Sequence, residues 1–138
     1  MKNRSMIPMV LALAATPVIA QSELFSPDER AQGEASVQAA GAYFATSLRE
    51  PSSATFRNVF IGKRPPPTKT LKIIVCGEVN ARNGFGGFTG YQPFIVSGTE
   101  VHVGSVVGVS VRDACFSQRV FDNRDYSTEL ATAFKARL

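Results

Sequence analysis

The chain has 138 residues, with 15 basic and 11 acidic side chains and a formal charge of +4. Lys2 and Arg4 lie in an N-terminal leader, and without its 20 residues the charge falls to +2 over 118 residues, enough chain for one hydrophobic core. That weak, scattered positive charge argues against a nucleic-acid partner; the tightest group, Lys63, Arg64, Lys69 and Lys72, flanks a proline run and reads as a solvated loop.

In chain order, Lys2 and Arg4 precede the apolar run Met6 to Ala20, shorter than the roughly 20 residues a spanning helix needs. With Val18 and Ala20 at the cleavage-pocket positions, residues 1–20 form a secretory signal peptide and the mature chain starts at Gln21. No cysteine follows the cleavage point to take a lipid anchor, and no second long apolar run provides a stable membrane span. The predicted location is therefore periplasmic or secreted.

Ser26-Pro27-Asp28-Glu29 supplies a capping box with proline at the first helical position. Val37, Ala40, Gly41, Phe44 and Leu48 then recur at helical spacing, and Pro51 ends the element, which predicts a helix over 27–49. The small residues Ala39, Ala40, Gly41 and Ala42 allow close approach to the layer beneath. Residues 54–61 read as a first strand, followed by a proline-stiffened turn over 62–67. Over 70–80, Leu71, Ile73, Val75 and Val79 alternate with Lys72, Ile74, Cys76, Glu78 and Asn80, a strand whose first set meets the helix. The glycine-rich stretch 83–90 joins it to a strand over 91–96, forming a hairpin. One or two short strands follow within 101–111, and Asp125 or Ser127 caps a last helix running through Ala136. The predicted architecture is one small α+β domain over 21–138: an antiparallel β-meander of about four strands packed on one long N-terminal helix, with a short C-terminal helix.

Cys76 and Cys115 are the two cysteines of the chain, and in an oxidising compartment an even pair predicts a disulfide, the alternatives being two buried free thiols or one reactive thiol. A bridge closing a loop of about 40 residues stabilises by roughly 4 kcal/mol in the chain-entropy picture. Because Cys76 sits on the strand face turned away from the helix, the bridge must draw the C-terminal segment across that face or along the sheet edge.

Two pieces, Pro51-Ser52-Ser53-Ala54-Thr55-Phe56-Arg57-Asn58-Val59 and Val75-Cys76-Gly77-Glu78-Val79-Asn80-Ala81-Arg82-Asn83-Gly84-Phe85-Gly86-Gly87-Phe88-Thr89-Gly90-Tyr91, occur in this order. Together they resemble a recurrent pattern in small, exported bacterial proteins of unknown function. The resemblance covers about a third of the chain, with Glu50 where the pattern has Asp. It implies a bacterial envelope protein and carries no activity or catalytic residue with it.

The glycine loop invites a phosphate-cradle reading, but a strand rather than a helix follows it and no Lys-Ser or Lys-Thr pair is present. Two readings remain for the loop: a wide turn using Gly84, Gly86, Gly87 and Gly90, or a contact surface in which Phe85, Gly86, Gly87, Phe88 and Tyr91 present aromatic anchors. His102, the single histidine, shares a strand face with Glu100, but the spacing brings it no nucleophile. A small hydrolase using His102 would need a pocket where it meets Cys76 or Glu78. The expectation is a non-enzymatic binding or protein-interaction domain using loop 83–91 on an envelope protein or cell-wall component, with no catalytic residues, metal or cofactor. The alternative is a structural accessory of an envelope assembly that adds strands at a sheet edge.

Overall fold

The computed structural model describes residues 24–64, 72–106, 108–117 and 119–138. The predicted signal peptide over 1–20, and the parts of the predicted turn and second strand within 65–71, lie outside them. Helix α1 covers Pro27–Ser47, opened by the predicted capping box: Ser26 Oγ accepts from the Glu29 amide at 3.2 Å and Glu29 Oε2 from the Ser26 amide at 2.8 Å. Its buried positions, Gly33, Ser36, Val37, Ala40, Gly41 and Phe44, trace one face at three- and four-residue intervals.

Beneath α1 lies an antiparallel sheet of β1 (Glu50–Lys63), β2 (Ile74–Arg82), β3 (Gln92–Ser97), β4 (Glu100–Val103) and β7 (Val120–Phe121), in the spatial order β4-β3-β2-β1-β7. The first four strands form the expected meander, and the two-residue β7 adds a fifth strand beside the end of β1. A separate hairpin, β5 (Ser105–Val106) with β6 (Val109–Ser110), fills part of the region read as strand from 101 to 111. That reading fails at Val111, which opens helix α2 (Val111–Phe116) rather than ending a strand. The last helix, α3 (Ser127–Lys135), packs on both α1 and β1.

Alternation along β2 divides the molecule as expected. Ile73, Val75 and Val79 join Val37, Ala40, Phe44, Phe94 and Leu130 in the main core under α1 and α3. Ile74 and Cys76 face the other way and meet Ile95, Val111 and Cys115 in a smaller cluster under α2. The Cys76–Cys115 disulfide is present across that second cluster, linking the middle strand of the sheet to α2.

Close approach is built on glycine at two places. A Cβ on Gly41 would lie 2.9 Å from the backbone carbon of Ala133 and the amide of Phe134, so α1 touches α3 backbone. A Cβ on Gly77 would lie 2.6 Å from the Phe94 ring, which fills the space a side chain would take.

The outer edge of β1 is closed by the C-terminal segment. The Asp122 amide donates to the Ile61 carbonyl at 2.8 Å, and the Tyr126 amide to that of Val59 at 2.7 Å. Buried Asp122 accepts from the Tyr126 hydroxyl at 2.8 Å and pairs with Arg30 at 3.1 Å, tying this segment to α1. Burial, reinforced by the Asp122 hydrogen bond, pushes the Tyr126 hydroxyl up to about 12. Lys63 departs from the solvated reading of its basic cluster: its ammonium pairs with Glu29 at 2.6 Å and its side chain is only 12% exposed. Arg64 and Lys72 are exposed.

Candidate functional site

Residues 83–91 form a loop organised around one side chain. Asn83 Oδ1 accepts from the Phe85 amide at 2.9 Å and the Gly87 amide at 3.2 Å. The Gly86 amide donates to the Asn83 carbonyl at 3.0 Å, and the Asn83 amide to that of Gly87 at 2.8 Å. Gly86 takes φ +80°, a conformation that a side chain would strain. Amides that a phosphate cradle would offer to an anion are therefore already bonded within the loop.

This folding leaves Phe85 wholly exposed, at 100%, and Phe88 54% exposed. Gly86 and Gly87 stand between them, with open space around the former. The Arg82 guanidinium lies 5.2 Å from the centre of the Phe88 ring, and Arg49 lies along Gly84, where a Cβ would come 3.3 Å from its Cδ. Tyr91 is placed apart from the two phenylalanines. Its ring is covered by the Arg57 guanidinium at 3.7 Å and its hydroxyl shares a hydrogen bond of 3.2 Å with Thr55, so it is built into the sheet face.

A second constellation, which the sequence reading missed, joins the two motif pieces on the disulfide side of the sheet. The β1–β2 register breaks between Arg57 and Phe60, and Asn58 takes φ 53° there, a bulge that turns Arg57 and Asn58 toward the same carboxylate. Arg57 Nε donates to Glu78 Oε2 at 2.8 Å and Asn58 Nδ2 to the same oxygen at 2.9 Å. From α2, Arg112 approaches the other oxygen at 3.8 Å. The Asn58 amide first, and then the arginines, hold the Glu78 carboxyl below its ordinary range despite partial burial. A cavity of about 100 Å³ adjoins this group, lined by Asn58, Glu78, Pro93, Arg112, Phe116 and the disulfide. Strand alternation placed Glu78 and Cys76 on one face, but a one-residue bulge has no periodic signal and so hid Asn58.

His102 is half-buried on β4 opposite Ile95 and lies outside that cavity. Among the described residues its imidazole has no hydrogen bond or ion pair, Cys76 is oxidised, and Glu78 is engaged by Arg57 and Asn58. No group of three or more His, Cys, Asp or Glu is placed to hold a metal ion among the described residues. No helix among them is long and apolar enough to cross a membrane. Comparison with known families, with curated proteins and with solved structures yields no match.

Proposed function

We propose that the chain is an exported, periplasmic binding domain that contacts a component of the bacterial envelope through the tip of loop 83–91. The observation that carries this reading is Phe85, 100% exposed on a loop closed by four hydrogen bonds to the Asn83 side chain and backbone. A large apolar side chain held out in water gains nothing for the fold and gains free energy only when something covers it. The bonded loop also limits the ordering entropy to be lost on contact. Phe85 and Phe88 are the anchors; Tyr91 supports the loop's base through Arg57 and Thr55. The disulfide agrees with an oxidising compartment.

The alternative of strand addition draws less support, because the edge strand β4 has only four residues before the chain turns into the β5–β6 hairpin. Catalysis through His102 draws less still, since among the described residues it lies outside the cavity that Glu78 and the disulfide line. The test is retention of the purified chain by isolated envelope from the source cells, beside a Phe85→Ser/Phe88→Ser variant shown to be folded by circular dichroism. Retention of the native chain and its loss in the variant is the expected result. Equal retention of both would move the contact surface away from the loop.

A further inference from the structure

Which component of the envelope covers the loop tip can be argued from its shape, its charge and its backbone. Protein hot spots are anchors seated in pockets and ringed by side chains that exclude water. Here the two phenylalanines protrude, and the chain between them is Gly86-Gly87, so no ring of neighbouring side chains is available from within the loop. An apolar tip of this kind is suited to a medium that adapts its own shape.

The charge pattern fits a negatively charged medium. Residues 83–91 carry no charged side chain, and the segments behind them carry Arg49 and Arg82 beside one acid, Glu50, which stands opposite Arg82 in the sheet, while Arg57 is already paired with Glu78. Arg82 lies over the Phe88 ring and Arg49 along Gly84, one layer behind the tip. Aromatic rings ahead of long basic side chains match the depth profile of a bilayer surface, where rings enter the acyl boundary and guanidinium groups remain among the phosphates.

The backbone lowers one obstacle to such insertion, on the side of its donors. Immersing a loop in lipid exposes unpaired amides, each at a cost of several kcal/mol. The amides of Phe85, Gly86 and Gly87 all donate within the loop, to Asn83, so the tip can leave water with these donors satisfied.

We infer that loop 83–91 is an interfacial anchor that docks the domain on an anionic membrane surface, with Phe85 and Phe88 inserted and Arg49 and Arg82 at the headgroup level. This deepens the loop-contact reading and rests on it. The chain contains no tryptophan, so Phe85→Trp introduces a single indole at the tip. Its emission is expected to shift to the blue on vesicles of phosphatidylglycerol and phosphatidylethanolamine. Vesicles of phosphatidylcholine alone should leave it unshifted, and added salt should reverse the shift. In co-sedimentation with the anionic vesicles, Phe85→Ser should lower partitioning of the otherwise native chain about tenfold. Arg49→Gln with Arg82→Gln should lower it by roughly 25-fold, about fivefold for each charge. An indole that stays in water on the anionic vesicles would overturn the assignment. If isolated envelope still retained the chain through Phe85 and Phe88, the lipid assignment alone would fall, and the partner would be a protein or the cell wall. If envelope retention were also independent of the loop, both readings would fall.

Discussion

Gly41→Ala sets two principles against each other. In an isolated helix the change is favourable by about 1 kcal/mol, because alanine is the better helix former. In this molecule the new methyl group would lie 2.9 Å from the Ala133 carbon, the Ala133 Cβ and the Phe134 nitrogen. Two of those three atoms belong to the backbone of α3 and cannot rotate aside, so relief requires α3 to move off α1. The same helix carries Leu130 and Phe134 into the core, and the segment before it closes the edge of β1 through Tyr126. Overpacking of this kind costs about 1–3 kcal/mol, and more where backbone must shift. Because two of the three contacts are backbone, the upper part of that range applies, about 2–3 kcal/mol, and subtracting the propensity gain leaves a net loss of about 1–2 kcal/mol, or a fall in melting temperature of about 3–10 °C. Urea denaturation followed by circular dichroism, on oxidised protein, measures it. Adding Ala133→Gly should not restore stability, since the backbone contacts remain. A Gly41→Ala variant as stable as the parent, or more so, would refute the claim that α1 and α3 are in contact at their backbones.

Replacing both cysteines, Cys76→Ala with Cys115→Ala, should reduce stability by about 4 kcal/mol for a separation of 39 residues. It should also raise hydrogen exchange in α2, whose six residues are too few to persist as an isolated helix. A loss below about 1 kcal/mol would mean that burial of Val111 against Ile74 and Ile95 holds α2 without the bridge. Acid provides a third measurement. The folded-state affinity of Glu78 for a proton is depressed, so its contribution is present above the unfolded carboxylate range, near pH 4, and is lost as pH falls through the lower folded value. Glu78→Gln should therefore flatten the decline in urea midpoint between about pH 5 and 2, leaving the part due to Glu29, which Lys63 likewise depresses. Parallel pH profiles for the parent and Glu78→Gln would show that the Arg57–Asn58–Glu78 group does not stabilise the fold.

Elements whose signal is local were legible in the sequence. Ser26 and Glu29 mark the start of α1 because the capping box is a four-residue device, and strict alternation from Ile73 to Val79 assigns each β2 side chain to a face. Elements held by distant partners were not. Val111 reads as the end of a β-branched run, yet it opens a helix through Phe116 because Val111 and Cys115 bury against β2 and β3. Nothing around Asn58 announces a bulge, since the reason for it, a carboxylate 20 residues away, becomes visible only in the strand register. In the loop, glycine spacing predicted the turn, but the division between the free ring of Phe85, the half-exposed ring of Phe88 beside Arg82 and the ring of Tyr91 covered by Arg57 depends on arginines of two different strands.

The closure of β1 by residues 120–127 has a consequence for how the molecule is made. Tyr126 and Asp122 satisfy the outer carbonyls of Val59 and Ile61, while Leu130 and Phe134 complete the core begun by α1. A chain delivered N-terminus first therefore cannot finish this core until residues 126–134 have emerged. Until then β1 keeps an open edge and α1 an uncovered face, the features by which a chain waiting to fold is held by chaperones. Cys76 likewise waits 39 residues for its partner, and with two cysteines in the chain no wrong intramolecular pairing can intervene. The core is thus completed by the arrival of residues 122–134, whose backbone closes β1 and whose side chains cover α1.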